Sequence, residues 1–309
     1  MRALLAVVLL TAMSAAAQNS IKLSLPCEFR SQQISPTGRH VVVRCSDMSV
    51  RLLEVPSGRE VASLPAAGRY ENFDFTPDGK WFGVAGDAGV VEVIPVAAPE
   101  KRVQWKAGAK GFDIFKFVSS TVVVVAAHGE PGEVWDISSK PTKKAILSTD
   151  FDGLTSVAVS ASGDWLVSTG ADTVVRFYRA PDWKLAGEYR GYLLEPFTST
   201  FTADGKYLVV GGADCQLTVF DPATAKPVKT LSAQSDPFEL VESLDQNRLI
   251  ALSFDADGKK PRHLDIWDLE TGSSKPVSTD ETVTGGAVVD SRIWLAHGSK
   301  NTLALSVGQ

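Results

Sequence analysis

One pattern limits the possible folds more than any other: a tight-turn residue followed two positions later by an apolar run, repeated along the whole chain. It occurs at Gly38 (before His40-Val41-Val42), Gly79 (Trp81-Phe82), Ser120 (Val122-Val123), Gly163 (Trp165-Leu166), Gly205 (Tyr207-Leu208), Asn247 (Leu249-Ile250) and Ser291 (Ile293-Trp294). The spacings are 41, 41, 43, 42, 42 and 44 residues. Each unit divides into four short runs of alternating or clustered apolar residues, bounded by Gly, Pro, Asp and Ser. In the fifth unit they are Ser199 to Thr202, Tyr207 to Val210, Leu217 to Phe220 and Val228 to Leu231. Such runs are too short for helices and carry strand patterning.

A four-stranded unit repeated at this interval cannot bury both faces alone and must stack on its neighbours around an axis. The expectation is one all-β domain over residues 18–309, a seven-bladed β-propeller of four-stranded antiparallel blades. The blades are expected at about 28–66, 67–107, 108–150, 151–191, 192–234, 235–279 and 280–309. The seventh unit holds three candidate strands, Thr284 to Val289, Ile293 to His297 and Thr302 to Val307. Its fourth is expected from residues 20–26, where Ile21-Lys22-Leu23-Ser24-Leu25-Pro26 resembles Glu60-Val61-Ala62-Ser63-Leu64-Pro65.

The segment Ser168-Thr169-Gly170-Ala171-Asp172-Thr173-Val174-Val175-Arg176-Phe177-Tyr178 resembles the WD40 repeat, in which a turn Asp lies six residues before the Trp of a Trp-Asp pair. Asp47 to Leu53 and Asp214 to Phe220 keep that spacing. Trp135-Asp136 and Trp267-Asp268 supply the dipeptide. The resemblance, to WD40 and YVTN-type propellers, covers all seven units and implies the same ring of blades. The Gly-His dipeptide that opens a WD40 repeat is absent, so the family's His-Asp-Ser-Trp hydrogen-bond network is not carried over. Asp47, Asp172 and Asp214 read as turn residues that satisfy backbone N–H groups. The tryptophans at 81, 135, 165 and 267 read as packing between blades.

Arg2, the apolar run Ala3 to Leu10 and Ala15-Ala16-Ala17 have the layout of a secretory signal peptide spanning residues 1–17. The apolar run is shorter than the roughly 20 residues a membrane span needs, and no later segment reaches that length. Secretion or periplasmic export is the expectation, with no membrane insertion after cleavage. The formal charge of -5 argues against nucleic acid or anionic lipid as the partner.

Three cysteines permit one bridge in an oxidising compartment. The repeat register sets Cys27, after the closing strand, and Cys45, at the end of the first unit's second strand, on one face of the disc. A Cys27–Cys45 disulfide is expected, with Cys215 free.

No nucleophile elbow, zinc-protease helix, phosphate loop or dinucleotide fingerprint occurs, so no catalytic, cofactor-binding or metal-binding residues are assigned. His128 and His297 fall in equivalent turns of units nearly opposite each other, too far apart to share an ion at ligand distances of about 2 Å. Asp255-Ala256-Asp257-Gly258 resembles half a calcium loop, but Leu264 stands where the twelfth-position Glu should be.

Aromatics near the start of the first strands, Phe29, Tyr70, Phe112, Phe151, Tyr192, Phe197 and Phe238, suggest a ring towards the channel mouth. They read either as packing between blades or as a contact surface for a protein or peptide. The expected role is therefore an exported, non-catalytic binding platform. The alternatives are a propeller enzyme with its site at the channel mouth, and a structural subunit of an envelope assembly.

Overall fold

A computed structural model describes residues 20–25, 27–65, 70–86, 89–108, 111–127, 129–150, 153–232, 237–253, 263–277, 283–289, 292–299 and 302–308. These residues form twenty-eight strands, β1 to β28 in chain order, in seven four-stranded antiparallel sheets. The first strands of the sheets are β2 (Phe29–Ile34), β6 (Tyr70–Phe75), β10 (Phe112–Ser119), β14 (Leu154–Val159), β18 (Pro196–Phe201), β22 (Phe238–Ser243) and β26 (Val283–Val289). Strands β6, β10, β14, β18 and β22 touch in that order, β26 lies next to both β22 and β2, and Gln33 of β2 bonds Asp74 of β6, so the first strands surround a common axis.

The turn from first to second strand shows why the repeat folds as it does. Ser35, Thr76, Ser160 and Thr202 each accept through the hydroxyl the backbone N–H five residues on, from His40, Trp81, Trp165 and Tyr207, at 3.0 to 3.1 Å. Three residues after each hydroxyl stands a glycine, Gly38, Gly79, Gly163 or Gly205, at φ between 66° and 73°. A side chain there would be strained, so glycine recurs with the repeat period. Where glycine is replaced by Asn247, the carboxylate of Asp245 accepts the N–H groups of Asn247 and Arg248 instead, both at 2.8 Å.

The core lies between sheets, because the two faces of each sheet pack on different neighbours. Val157, Leu166 and Tyr178 meet Val118, Val124 and Leu147 of the sheet before, while Val167 and Phe177 meet Phe201, Leu208 and Phe220 of the sheet after. Trp267 packs inside such a layer, and Trp81, Trp135 and Trp165 lie half-buried against others. Asn72 and Thr155 add side-chain hydrogen bonds to the first strand of the following sheet, at Phe112 O and Pro196 O.

One sheet is ordered β1 (Ser20–Ser24), β28 (Thr302–Gly308), β27 (Arg292–Ser299), β26. Strand β1 runs antiparallel to β28, with Leu23 opposite Leu303. The Leu23 side chain is 1% exposed and packs with Ile34, Val41, Val43 and Leu53 of the first sheet. Cys27 and Cys45 are joined by a disulfide with the Cα atoms 5.7 Å apart. No helix among the described residues is long and apolar enough to cross a membrane.

Candidate functional site: the connection face

Two kinds of segment share one face of the disc: the connections between blades and the turns after second strands. Backbone hydrogen bonds join them, from Ser46 N–H to Glu28 O at 2.7 Å, Ala171 N–H to Gly153 O at 3.3 Å and Ala213 N–H to Glu195 O at 3.0 Å. The turns are held from within by the aspartates of the WD40-like spacing. Asp47 accepts Ser49 N–H at 2.9 Å, Asp172 accepts Val174 N–H at 3.1 Å and Asp214 accepts Gln216 N–H at 3.1 Å. The residue after each aspartate, Met48, Thr173 or Cys215, lies in the left-handed region at φ 68°, 63° and 57°.

In the fourth blade this turn anchors a charged cluster. Asp172 is buried and also accepts the Asp150 N–H at 2.8 Å, which draws the preceding connection onto the blade. Arg176, only 2% exposed, places Nη1 2.7 Å from Asp172 Oδ2 and Nη2 3.1 Å from Asp150 Oδ1. Arg190 closes the cluster at the surface, donating to Asp150 at 2.7 Å and to Glu188 at 2.7 Å. Its hydrogen bond is the main reason the Asp150 carboxyl lies below the usual carboxylate range. Asp214 is shifted the other way, upward, because it is partly buried.

Of the two readings of the aromatic ring, packing between blades is the one that Phe112, Tyr192 and Phe238 follow, not a contact surface. Phe112 and Phe238 are 4% and 0% exposed inside the inter-blade core, and Tyr192 is 8% exposed against Tyr189 and Phe220. The reason is a register shift present in all seven first strands, after Phe29, Tyr70, Phe112, Leu154, Pro196, Phe238 and Val283. A bulge adds one residue and re-aims the side chains around it. The first residue of Phe112 and Phe238 type therefore turns into the core, while the bulged residues Arg30, Asp113 and Glu239 are exposed and Phe197 is half-buried. The backbones of Phe29 and Tyr70 belong to their strands, and Phe151, His128 and the Asp255 to Gly258 segment lie outside the described residues.

What is exposed and apolar on this face lies elsewhere, at Leu193 and Leu194, 93% and 51% exposed in the connection from the fourth blade to the fifth. The sequence signal was present, since this is the one connection between units with two adjacent leucines. Deeper along the axis, Asp74 is buried and accepts Gln33 Nε2 at 2.7 Å and Phe117 N–H at 2.9 Å, with Lys116 Nζ at 3.5 Å. The neighbouring Asp74 carboxylate raises the Lys116 pKa, so this lysine stays an ammonium and is a poor nucleophile or base. Among the described residues no group of three or more His, Cys, Asp or Glu side chains is placed to hold a metal ion.

Residues 151–179, which contain Asp172 and Arg176, match the family model described as WD domain, G-beta repeat. The structure superposes on a chain from the crystal structure of the mitotic checkpoint complex with a TM-score of 0.75 at 16% identity, over 92% of this chain and 93% of that one. It also superposes on the β-propeller domain of Myceliophteria thermophila Cps50 (Swd1) with a TM-score of 0.74 at 12% identity, over 92% and 99%. No curated protein sequence matches the chain. These superpositions show the β-propeller fold, and one of its repeats, residues 151–179, is similar to the WD repeat.

Proposed function

We propose that the chain is exported by the signal peptide at residues 1–17 and serves outside the cytoplasm as a non-catalytic platform for a protein or peptide partner. In this reading it is a ring of seven blades, sealed by the N-terminal strand, and the partner sits on the connection face. The pairing of β1 with β28 and the packing of Leu23 on the first sheet support the closure. The Cys27–Cys45 bridge supports an oxidising compartment.

The observation that carries the binding role is the way the connections are held: backbone bonds from Ser46, Ala171 and Ala213 fix them to neighbouring turns. A surface ordered before binding loses less conformational freedom when a partner arrives. Rigid scaffolds characteristically present binding residues on such loops. Lys116, one of the described residues near the axis, is held charged by Asp74, which disfavours it as a nucleophile or base.

Crosslinking of the mature chain in the exported fraction of its native host, followed by mass spectrometry, tests the reading. The expected result is a specific partner whose crosslinks map to the connection face. Absence of any partner above background, together with a metal or organic cofactor in the purified protein, would overturn it.

A further inference from the structure

We infer that Leu193 and Leu194 form the anchor of the binding face, and that the segment they receive carries aliphatic side chains next to Lys or Arg. This rests on the reading of the connection face as the binding surface and names the chemistry of its partner.

The leucine pair is not a loose loop. On its N-terminal side Tyr192 is buried, its ring 5.8 Å from that of Tyr189 and 6.3 Å from that of Phe220. Before it, Gly191 lies so close to the Tyr189 ring that a Cβ there would come within 2.1 Å of the hydroxyl oxygen. On its C-terminal side Glu195 O accepts the Ala213 N–H and Pro196 opens β18. The two leucines therefore stand between fixed points, exposed to water, which is the opposite of what burial of a free hydrophobic side chain would favour. An exposed, pre-ordered aliphatic pair has the properties of a binding anchor.

The surrounding charge selects the partner. The bond from Ala213 N–H to Glu195 O brings the Asp214 turn to the C-terminal side of the pair; Asp214 is partly buried, accepts the Gln216 N–H, and meets no cation among the described residues. Glu195 adjoins the leucines in sequence. Asp150 and Glu188 line the fourth blade, where they share Arg190. A cationic side chain placed over Asp214 would supply the counter-charge that the fold withholds, whereas an acidic segment would be repelled.

The test is selection of a displayed random peptide library on the folded mature protein, followed by affinity measurement for synthetic copies of the selected peptides. The expected peptides pair aliphatic residues with Lys or Arg. Their affinity should fall at least about tenfold in Leu193→Asp/Leu194→Asp and by roughly threefold in Asp214→Asn, with steeper salt dependence in the parent. Val228→Asp, at an exposed position on an outer strand, should leave affinity unchanged. A melting temperature no lower than the parent's in each variant confirms folding.

Selected peptides that are acidic, or that bind the double variant as well as the parent, would overturn the anchor while leaving a platform elsewhere on the face intact. Failure to select any peptide would also count against the anchor, while the crosslinking experiment separately decides the platform. A mature chain that sediments as a dimer, and as a monomer once both leucines are replaced, would instead assign the pair to a second copy and refute the inference.

Discussion

Leu23→Ala is the sharpest test of how the ring is held together. The side chain belongs to a strand whose backbone pairs with β28, yet it packs on Ile34, Val41, Val43 and Leu53 of the first sheet at 1% exposure. Truncation removes apolar contact between β1 and Ile34, Val41, Val43 and Leu53 of the first sheet. Buried Leu→Ala changes cost about 2–5 kcal/mol, and a site enclosed by two sheets belongs near the middle of that range, about 3 kcal/mol. For a domain of this size each kcal/mol moves Tm by about 2–4 °C, so a loss of roughly 6–12 °C is expected by calorimetry or circular dichroism. Leu185→Ala, at a position 48% exposed on an outer strand, provides the comparison and should stay within about 0.5 kcal/mol of the parent. If Leu23→Ala melted no lower than Leu185→Ala, the N-terminal strand would not be sealing the ring and the reasoning would be wrong.

Reducing Cys27–Cys45 releases an 18-residue separation, for which chain entropy predicts a loss of about 3 kcal/mol; equal melting with and without reductant would contradict this. Replacing Arg176 with Met leaves the buried Asp172 carboxylate without its guanidinium and should cost about 3–5 kcal/mol in urea unfolding, with much of the loss recovered in Arg176→Met/Asp172→Asn. Asp214→Asn bears on pH dependence. Because burial raises the folded-state pKa of Asp214, its ionised form opposes folding above that pKa, and protonation relieves the penalty as pH falls. The Asn variant should therefore melt higher than the parent at neutral pH, with the difference shrinking as the solution becomes acidic; a difference that grows at low pH would reverse the sign of the argument.

The blade turns were readable from the sequence because a local chemical requirement repeats with the fold. A Ser or Thr hydroxyl, three residues before a glycine at positive φ, marks the same hairpin at Ser35, Thr76, Ser160 and Thr202. The turn aspartates were readable for the same reason: Asp47, Asp172 and Asp214 bond to N–H groups two residues on. The mouth of the channel was not. A bulge changes which face a side chain occupies, and it is a property of pairing with the second strand, invisible in the run Phe112-Asp113-Ile114 itself. Arg176 also escaped notice, since a lone charge between Val175 and Phe177 reads as an exposed strand position until Asp150 and Asp172 are brought around it by a connection and a turn. The leucine pair was visible but silent, because exposure depends on the anchoring of Tyr192 and Glu195 on either side.

Amide hydrogen exchange of the mature chain, with and without the crosslinked partner, decides whether a partner is held on the connection face. Binding on that face should slow exchange around Leu193, Leu194 and the Asp214 turn while leaving the opposite hairpins, at Ser35 to His40 and Ser160 to Trp165, unchanged. Protection confined to those hairpins or to the outer strands would contradict the account.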